Sequence, residues 1–224
     1  MSSLRRVTFS GIDQWTKPSD AASLYQMFSF IEFAFLFTDN RKAGNRYPMP
    51  VMLKAYKSLG IPMAIHLCGK LAHNYIKTGD LSPVIDMLGD SMDLFDRIQL
   101  NVPKTSHFCR TIEFPSDKKI IIQLHEGTQA LLSHYMTNPN VQGFQDASGG
   151  HGIVCTNWQY PETEFFGYAG GIGPDNAAAC VKAIDEICPT EFWIDMESSI
   201  RTNDRFDIQK CRAVCASLRD ANLI

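Results

Sequence analysis

A glycine-rich turn near residue 170 has the composition of an anion site. Residues 169–176 read AGGIGPDN and stand between an aromatic run and a segment with helical patterning. Glycine lets backbone N–H groups approach a phosphate closely, and the start of the following helix adds a partial positive charge. The stretch MESSIR would add donors from Ser198 and Ser199. The alternative is that these glycines only form a tight turn between a strand and a helix.

Asp146 closes an apolar run and is followed directly by ASGGHG. A carboxyl group that points into a partly closed cup can have its pKa raised by desolvation, so that it donates a proton near neutral pH. An aspartate at a strand end can equally hydrogen-bond the turn behind it. Both interpretations stay open on spacing alone.

Arg46 lies in the segment DNRKAGNRYPMP, beyond another apolar run. Its planar guanidinium group could hold a carboxylate through two parallel hydrogen bonds. The alternative is an arginine that is simply solvated at the surface.

Short apolar runs recur along the whole chain, each followed by Gly, Pro or Asn. Runs such as KIIIQL are apolar almost throughout, which is typical of strands in a parallel sheet covered on both faces. Eight of them alternating with helix-like segments predict a single (β/α)₈ TIM-barrel domain over residues 1–224, with an open doubly wound sheet as the alternative. The predicted strands start at Val7, Ile31, Pro62, Asp96, Lys119, Val141, Glu164 and Phe192.

Five segments have helical character. The first has Ser19 as its expected N-cap, the second ends at Gly60, and the fourth has Pro174 near its first turn. The last presents one apolar face. The five segments are SDAASLYQMFSF, MPVMLKAYKSLG, GTQALLSHYMTN, PDNAAACVKAIDEIC and DIQKCRAVCASLRDANL.

Charge and composition exclude several classes of partner. The net charge is −3 without a basic stripe, so a nucleic-acid partner is not expected. The most apolar stretch, residues 28–37, is too short to cross a bilayer, and no secretory signal is recognised, so we expect a cytoplasmic protein without a membrane partner. Seven cysteines without a CxxC pair predict reduced thiols and no zinc site.

Five segments in order resemble the phosphoribosylanthranilate isomerase family. VTFSGIDQWTKPSDA stands where that family has K-[IV]-C-G-[IL]-T, and AFLFTDNRKAGNRYPMP is similar to its G-F-x-F and S-x-R-Y segment. QDASGGHGIVCTNW resembles its D-S and G-G-T-G loop, YAGGIGPDNAAACVKAI its A-G-G-L-x-P-x-N-V helix entry, and WIDMESSIR its V-D-V-x-S-G-V-E ending.

The resemblance implies an Amadori rearrangement of a phosphoribosyl amine, an aldose–ketose isomerisation in tryptophan biosynthesis. Asp146 would be the general acid that opens the furanose ring, and Arg46 would hold the carboxylate of the substrate. No metal or organic cofactor would be needed, and the protein would act as a monomer or homodimer on a small phosphosugar. The groups around the phosphate would be Gly150, Gly152, Gly171, Gly173, Ser198 and Ser199.

This sequence differs from the family pattern at the position of the general base. The cysteine that serves as the family's general base is replaced here by Ser10, whose hydroxyl is far too weak an acid to exist as an alkoxide without a strong partner. His66 is a candidate replacement, since histidine is easily poised near neutral pH; the further candidates are Asp13, His125 and Glu126.

Two other functions stay open. One is a different phosphosugar isomerase, epimerase or aldolase on the same barrel, using His66 or Lys70. IHLCG also resembles a strand of pentulose-phosphate 3-epimerases, although the metal-binding aspartate on their seventh strand is Ala169 here. The other is a barrel that binds a phosphometabolite without catalysis.

Overall fold

The computed structural model describes residues 2–39, 46–102, 112–125, 127–146 and 153–224. Eight parallel strands pair in chain order, and β1 pairs with β8, so the sheet closes into a barrel. This closure confirms the predicted TIM barrel and excludes the open sheet. The strands are β1 Leu4–Ser10, β2 Ile31–Thr38, β3 Met63–Cys68, β4 Arg97–Asn101, β5 Lys119–Gln123, β6 Val141–Asp146, β7 Phe166–Ala169 and β8 Phe192–Met196.

Helices follow most strands on the outside of the barrel. A two-stranded hairpin, β9 Arg201–Thr202 and β10 Arg205–Phe206, lies between β8 and the last helix. The α-helices are α1 Pro18–Met27, α2 Lys70–Thr78, α3 Ser82–Leu88, α4 Gln129–Tyr135, α5 Ala177–Asp185 and α6 Ile208–Asp220.

Several helix predictions need correction. Ser19 is not the N-cap of α1, because the helix already begins at Pro18, whose fixed φ suits the first helical position. The segment before Gly60 forms a 3₁₀ helix over Pro50–Ala55 instead of an α-helix. Helices α2 and α3 were not predicted, although Ala72, Tyr75 and Ile76 give α2 a buried apolar face at helical spacing.

The outer core lies between the strands and the helices. The apolar face predicted for α6 is confirmed, with Cys211, Val214, Cys215 and Leu218 buried. The six cysteines outside the undescribed segments are all free thiols, and five of them are buried. In the described ranges no helix is long and apolar enough to cross a membrane.

The inside of the barrel holds a buried ionic cluster centred on Glu32. This carboxylate is fully buried and accepts hydrogen bonds from Thr8 Oγ1 at 2.9 Å, Arg6 Nη1 at 3.0 Å and Arg97 Nη1 at 2.7 Å. The guanidinium group of Arg97 also lies 4.1 Å from the ring centroid of Trp193. The part of the barrel interior away from the carboxyl ends of the strands therefore contains paired charges as well as apolar side chains.

Candidate active site

A pocket lies at the carboxyl ends of β6, β7 and β8, the end at which barrel enzymes hold their sites. It contains Asp146 and the glycine-rich turn, both predicted from the sequence. It also contains two acidic residues that were not predicted, Asp195 of β8 and Glu197 of the turn after it. The lining residues are Asp146, Ala169, Gly170, Gly171, Ile172, Asp195, Met196, Glu197, Ser198 and Ser199.

Asp146 is the last residue of β6 and is partly exposed to the pocket. Its Oδ2 atom accepts a hydrogen bond from Gln123 Nε2 at 3.4 Å. The neighbouring strand β5 thus helps to orient the carboxyl group that the sequence identified as a proton donor.

Ser10 and Asp195 form a buried pair beside this pocket. Ser10 ends β1, and its hydroxyl donates a short hydrogen bond to Asp195 Oδ1 on β8. Burial raises the pKa of Asp195 to about 8, against the lowering effect of the Ser10 hydrogen bond, and the charges of Glu197 and Asp146 raise it further. The pocket therefore contains a carboxyl group that changes its charge near neutral pH.

Asp195 was not predicted as a site residue, because it lies within the apolar strand FWIDM and not at its end. Its alternation with Trp193 is the signal that was available, since residues i and i+2 of a strand point to the same side. Trp193 packs inside the barrel on Arg97, so Asp195 also points inward.

Arg46 lies beside the pocket but is paired with the protein's own carboxylates. Its Nη1 atom is 2.8 Å from Glu197 Oε1, and its Nη2 atom is 3.7 Å from Asp204 Oδ1. Burial raises the pKa of Glu197, while Arg46 and Arg201 act in the opposite direction. A substrate carboxylate would have to displace Glu197 in order to reach Arg46.

The glycine-rich turn has fewer available donors than its sequence predicts. Gly171 has φ of +62°, and a side chain there would collide with the backbone of Val154. The Gly173 amide donates to Asn176 Oδ1 at 2.8 Å, and the Ser199 hydroxyl donates a short hydrogen bond to the carbonyl of Ile172.

The structure describes only some of the other residues that were predicted to surround the phosphate. Ser198 is exposed at the rim of the pocket. Gly150 and Gly152 lie outside the described residues. The phosphate role of the whole set stays a prediction.

His66 lies inside the barrel and is not among the residues that line the pocket. Its Nδ1 atom is 3.4 Å from Gln99 Nε2, and within the described residues its Nε2 atom has no hydrogen-bond partner. Burial, and secondarily the charge of Arg97, lowers the pKa of His66 to about 3. The imidazole is therefore neutral and a weak base.

The pKa of His66 predicts loss of stability in acid. A histidine whose folded pKa lies below its unfolded value of about 6.5 stabilises fully above pH 6.5, and this contribution falls as pH decreases towards the folded pKa. The slope for one group is at most about 1.4 kcal/mol per pH unit. We expect His66→Gln to flatten the dependence of unfolding free energy on pH between 6.5 and 5 in urea titrations. The exposed His134→Gln variant is the control, and equal slopes in all three proteins would contradict the prediction.

The remaining candidate bases have other roles or positions. Asp13 is fully buried, pairs with Arg201 Nη2 at 3.0 Å and accepts from the Phe206 amide at 2.7 Å, so it anchors the hairpin. His125 accepts a hydrogen bond from the Gly127 amide at its Nδ1 atom. Lys70 is exposed at the start of α2 and does not line the pocket. Glu126 lies outside the described residues.

Two further observations concern the chemistry that this site could perform. Burial raises the pKa of the Cys68 thiol to about 12, so this inward cysteine at the end of β3 stays protonated. Across the described ranges, no group of three His, Cys, Asp or Glu residues could hold a metal ion.

Comparison with solved structures identifies barrels of the same architecture. The dimeric phosphoribosylanthranilate isomerase from Thermotoga maritima, in a crystal structure of its monomers, is 14% identical with a TM-score of 0.58, covering 96% of this chain and 98% of that chain. N-(5'-phosphoribosyl)anthranilate isomerase from Pyrococcus furiosus is 12% identical with a TM-score of 0.55 over 96% and 98%.

A third structure is a truncated 3-deoxy-D-arabino-heptulosonate 7-phosphate synthase from Thermotoga maritima, which is 9% identical with a TM-score of 0.54 over 97% of this chain and 86% of that chain. No family model and no curated protein matches the chain in sequence. At such low identity the structural likeness shows a shared fold alone, and this fold is the (β/α)₈ barrel that the strand pattern predicts.

Proposed function

We propose that the protein is an aldose–ketose isomerase of the phosphoribosylanthranilate isomerase type, which rearranges a phosphoribosyl amine into a 1-amino-1-deoxyketose phosphate. The observation that carries the proposal is the meeting of two carboxyl groups, Asp146 and Asp195, in one pocket at the carboxyl end of the barrel. An isomerisation of this type needs one group that donates a proton and one that accepts a proton. The ordered resemblance of five sequence segments supports the choice of substrate.

Asp146 is the proposed general acid. It would protonate the ring oxygen of the furanose, so that the bond between that oxygen and C1 breaks and the nitrogen lone pair forms an iminium ion. The partial exposure of Asp146 to the pocket and its contact with Gln123 suit a carboxyl group that must reach a substrate.

Binding would use both ends of the substrate. Arg46 would hold the anthranilate carboxylate after exchange with Glu197. The phosphate would lie at the glycine-rich turn, near Gly171 and Ser198, with Gly150 and Gly152 as further proposed contacts; Gly173 and Ser199 would shape this turn through their bonds to Asn176 and Ile172.

The test follows the fluorescence of phosphoribosylanthranilate that is generated in the cuvette. We expect purified protein to accelerate the loss of this fluorescence beyond the spontaneous rate. The same rate with and without protein would contradict the proposal, and stabilisation of the fold by phosphosugars without turnover would favour a non-catalytic binder.

The Arg46–Glu197 ion pair predicts that Glu197 competes with the substrate carboxylate for Arg46. Glu197→Gln removes the charge that holds Arg46 and is expected to lower the KM for phosphoribosylanthranilate by about two- to fivefold, the range for a partly exposed ion pair. Asp204→Asn is the matched control, since Asp204 is more exposed and lies 3.7 Å from the same guanidinium group. An increase of KM in Glu197→Gln would contradict a carboxylate-binding role for Arg46.

One observation favours a second candidate, an isomerase or epimerase for another sugar. Three carboxyl groups, Asp146, Asp195 and Glu197, line the pocket, and its neighbouring arginine is already paired. Such a pocket suits hydroxyl-rich ligands that donate hydrogen bonds. Turnover of pentulose phosphates or unphosphorylated pentoses, with phosphoribosylanthranilate unchanged, would support this candidate.

A further inference from the structure

We propose that Asp195 is the catalytic base of this pocket and that Ser10 is a positioning residue which holds its carboxylate. This inference rests on the proposed isomerisation and assigns a new residue to its second proton transfer. It also explains how a barrel with serine at the position of the family's cysteine can keep the chemistry.

The first argument is the position of the two side chains. Ser10 is only 1% exposed and uses its hydroxyl as a donor to Asp195 Oδ1, so it is oriented towards the carboxylate. Asp195 lines the pocket together with Asp146. The Ser10 hydroxyl bonds Asp195 Oδ1, and in this proposal the Oδ2 atom of the same carboxylate would meet the substrate.

The second argument is the chemistry of the other groups. The Ser10 hydroxyl cannot lose its proton near neutral pH, and the Cys68 thiol is held protonated by burial. His66 lies outside the pocket lining, and Asp13 is committed to Arg201. Asp195 is the described carboxyl group that is both next to Ser10 and open to the pocket that contains Asp146.

The third argument is the electrostatic environment of Asp195. Glu197, Asp146 and Glu32 face it from the turn after β8, from β6 and from β2, and their charges add to the effect of burial. Arg97 of β4 is the cation that interacts with it. The result is a pKa of about 8, close to the ordinary value of about 8.5 for a thiol, so this carboxylate has the basicity that the missing cysteine would supply.

The proton transfers balance. After Asp146 has opened the ring, the Asp195 carboxylate takes the proton from C2; the C–H electrons form a C1=C2 double bond, and the iminium electrons return to nitrogen. Asp195 then returns this proton to C1 while the C2 hydroxyl gives its proton to Asp146, which forms the ketone. Both carboxyl groups finish in their starting states, and no oxidant or second reactant is needed.

The test is the pH profile of kcat/KM for phosphoribosylanthranilate in wild type, Asp195→Asn and Ser10→Ala. We expect the wild-type profile to have a limb near pH 8, where Asp195 titrates, and Asp195→Asn to lose about 10²- to 10⁴-fold in rate, the usual contribution of a general base. Ser10→Ala removes a hydrogen bond that lowers the pKa of Asp195, so the limb near pH 8 should move to higher pH. A merely structural serine would reduce the rate without moving this limb.

The outcomes separate the inference from the proposed function. A wild type that does not accelerate the reaction would overturn both. An active wild type with an equally active Asp195→Asn variant would overturn the inference alone, as would a wild-type profile without a limb near pH 8. Thermal unfolding checks the fold of Asp195→Asn; if that variant does not fold, the shifted or unshifted limb of Ser10→Ala decides.

Discussion

Glu32→Gln is expected to destabilise the protein by about 3–5 kcal/mol, the cost of leaving a buried charge without its partner. The substitution keeps the shape of the side chain but removes the negative charge that faces Arg97 at 2.7 Å in a site where both side chains are at most 2% exposed. Burial lowers the pKa of Arg97, and Glu32 is the main group that opposes this effect. Urea unfolding at pH 7 measures the difference.

The control for this prediction is an exposed pair on the same barrel. Arg5 and Glu191 are 2.7 Å apart but more than half exposed, so Glu191→Gln should cost no more than about 1 kcal/mol. Replacing both buried partners by apolar residues, as in Glu32→Leu with Arg97→Met, should recover most of the loss. A loss below about 1 kcal/mol in Glu32→Gln would contradict the prediction.

Asp146→Asn is expected to lower kcat by about 10²- to 10⁴-fold while the fold remains intact. The amide keeps the size of the side chain but cannot deliver a proton to the ring oxygen. Because Asp146 is partly exposed at the end of β6, its neutralisation should leave the unfolding temperature nearly unchanged.

Asp96→Asn is the matched control for Asp146→Asn. Asp96 is an exposed aspartate directly before β4, at the opposite end of the barrel. It should keep wild-type turnover in the fluorescence assay. Full activity of Asp146→Asn would remove Asp146 from the reaction and with it the proposed ring opening.

Much of the fold could be predicted because a parallel barrel leaves a local signal in each strand. Strands buried on both faces are apolar throughout, and the starts at Ile31, Lys119, Val141 and Phe192 agree with the structure. The closure between β1 and β8 is a long-range pairing that leaves no local signal. The ionic cluster around Glu32 was not predicted, because its partners Arg6 and Arg97 come from two other strands.

The site was predictable where its residues end strands. Asp146 was found in this way and Ser10 through the family resemblance, and both lie at the pocket end of the barrel. Asp195 and the Arg46–Glu197 pair were missed because one lies inside a strand and the other depends on a contact across the pocket. The donors of Gly173 and Ser199 were counted as available, since sequence spacing does not show that Asn176 and Ile172 accept their hydrogen bonds.

The most direct measurement is carbon-13 NMR of phosphoribosylanthranilate labelled at C2 of the ribose, mixed with wild-type protein and separately with Asp146→Asn. If the pocket performs the rearrangement, the labelled carbon changes from an alcohol signal to a ketone signal with the wild type and does not change at that rate with the variant. A label that stays an alcohol carbon with the wild type, beyond spontaneous hydrolysis of the substrate, would contradict the isomerase that we propose.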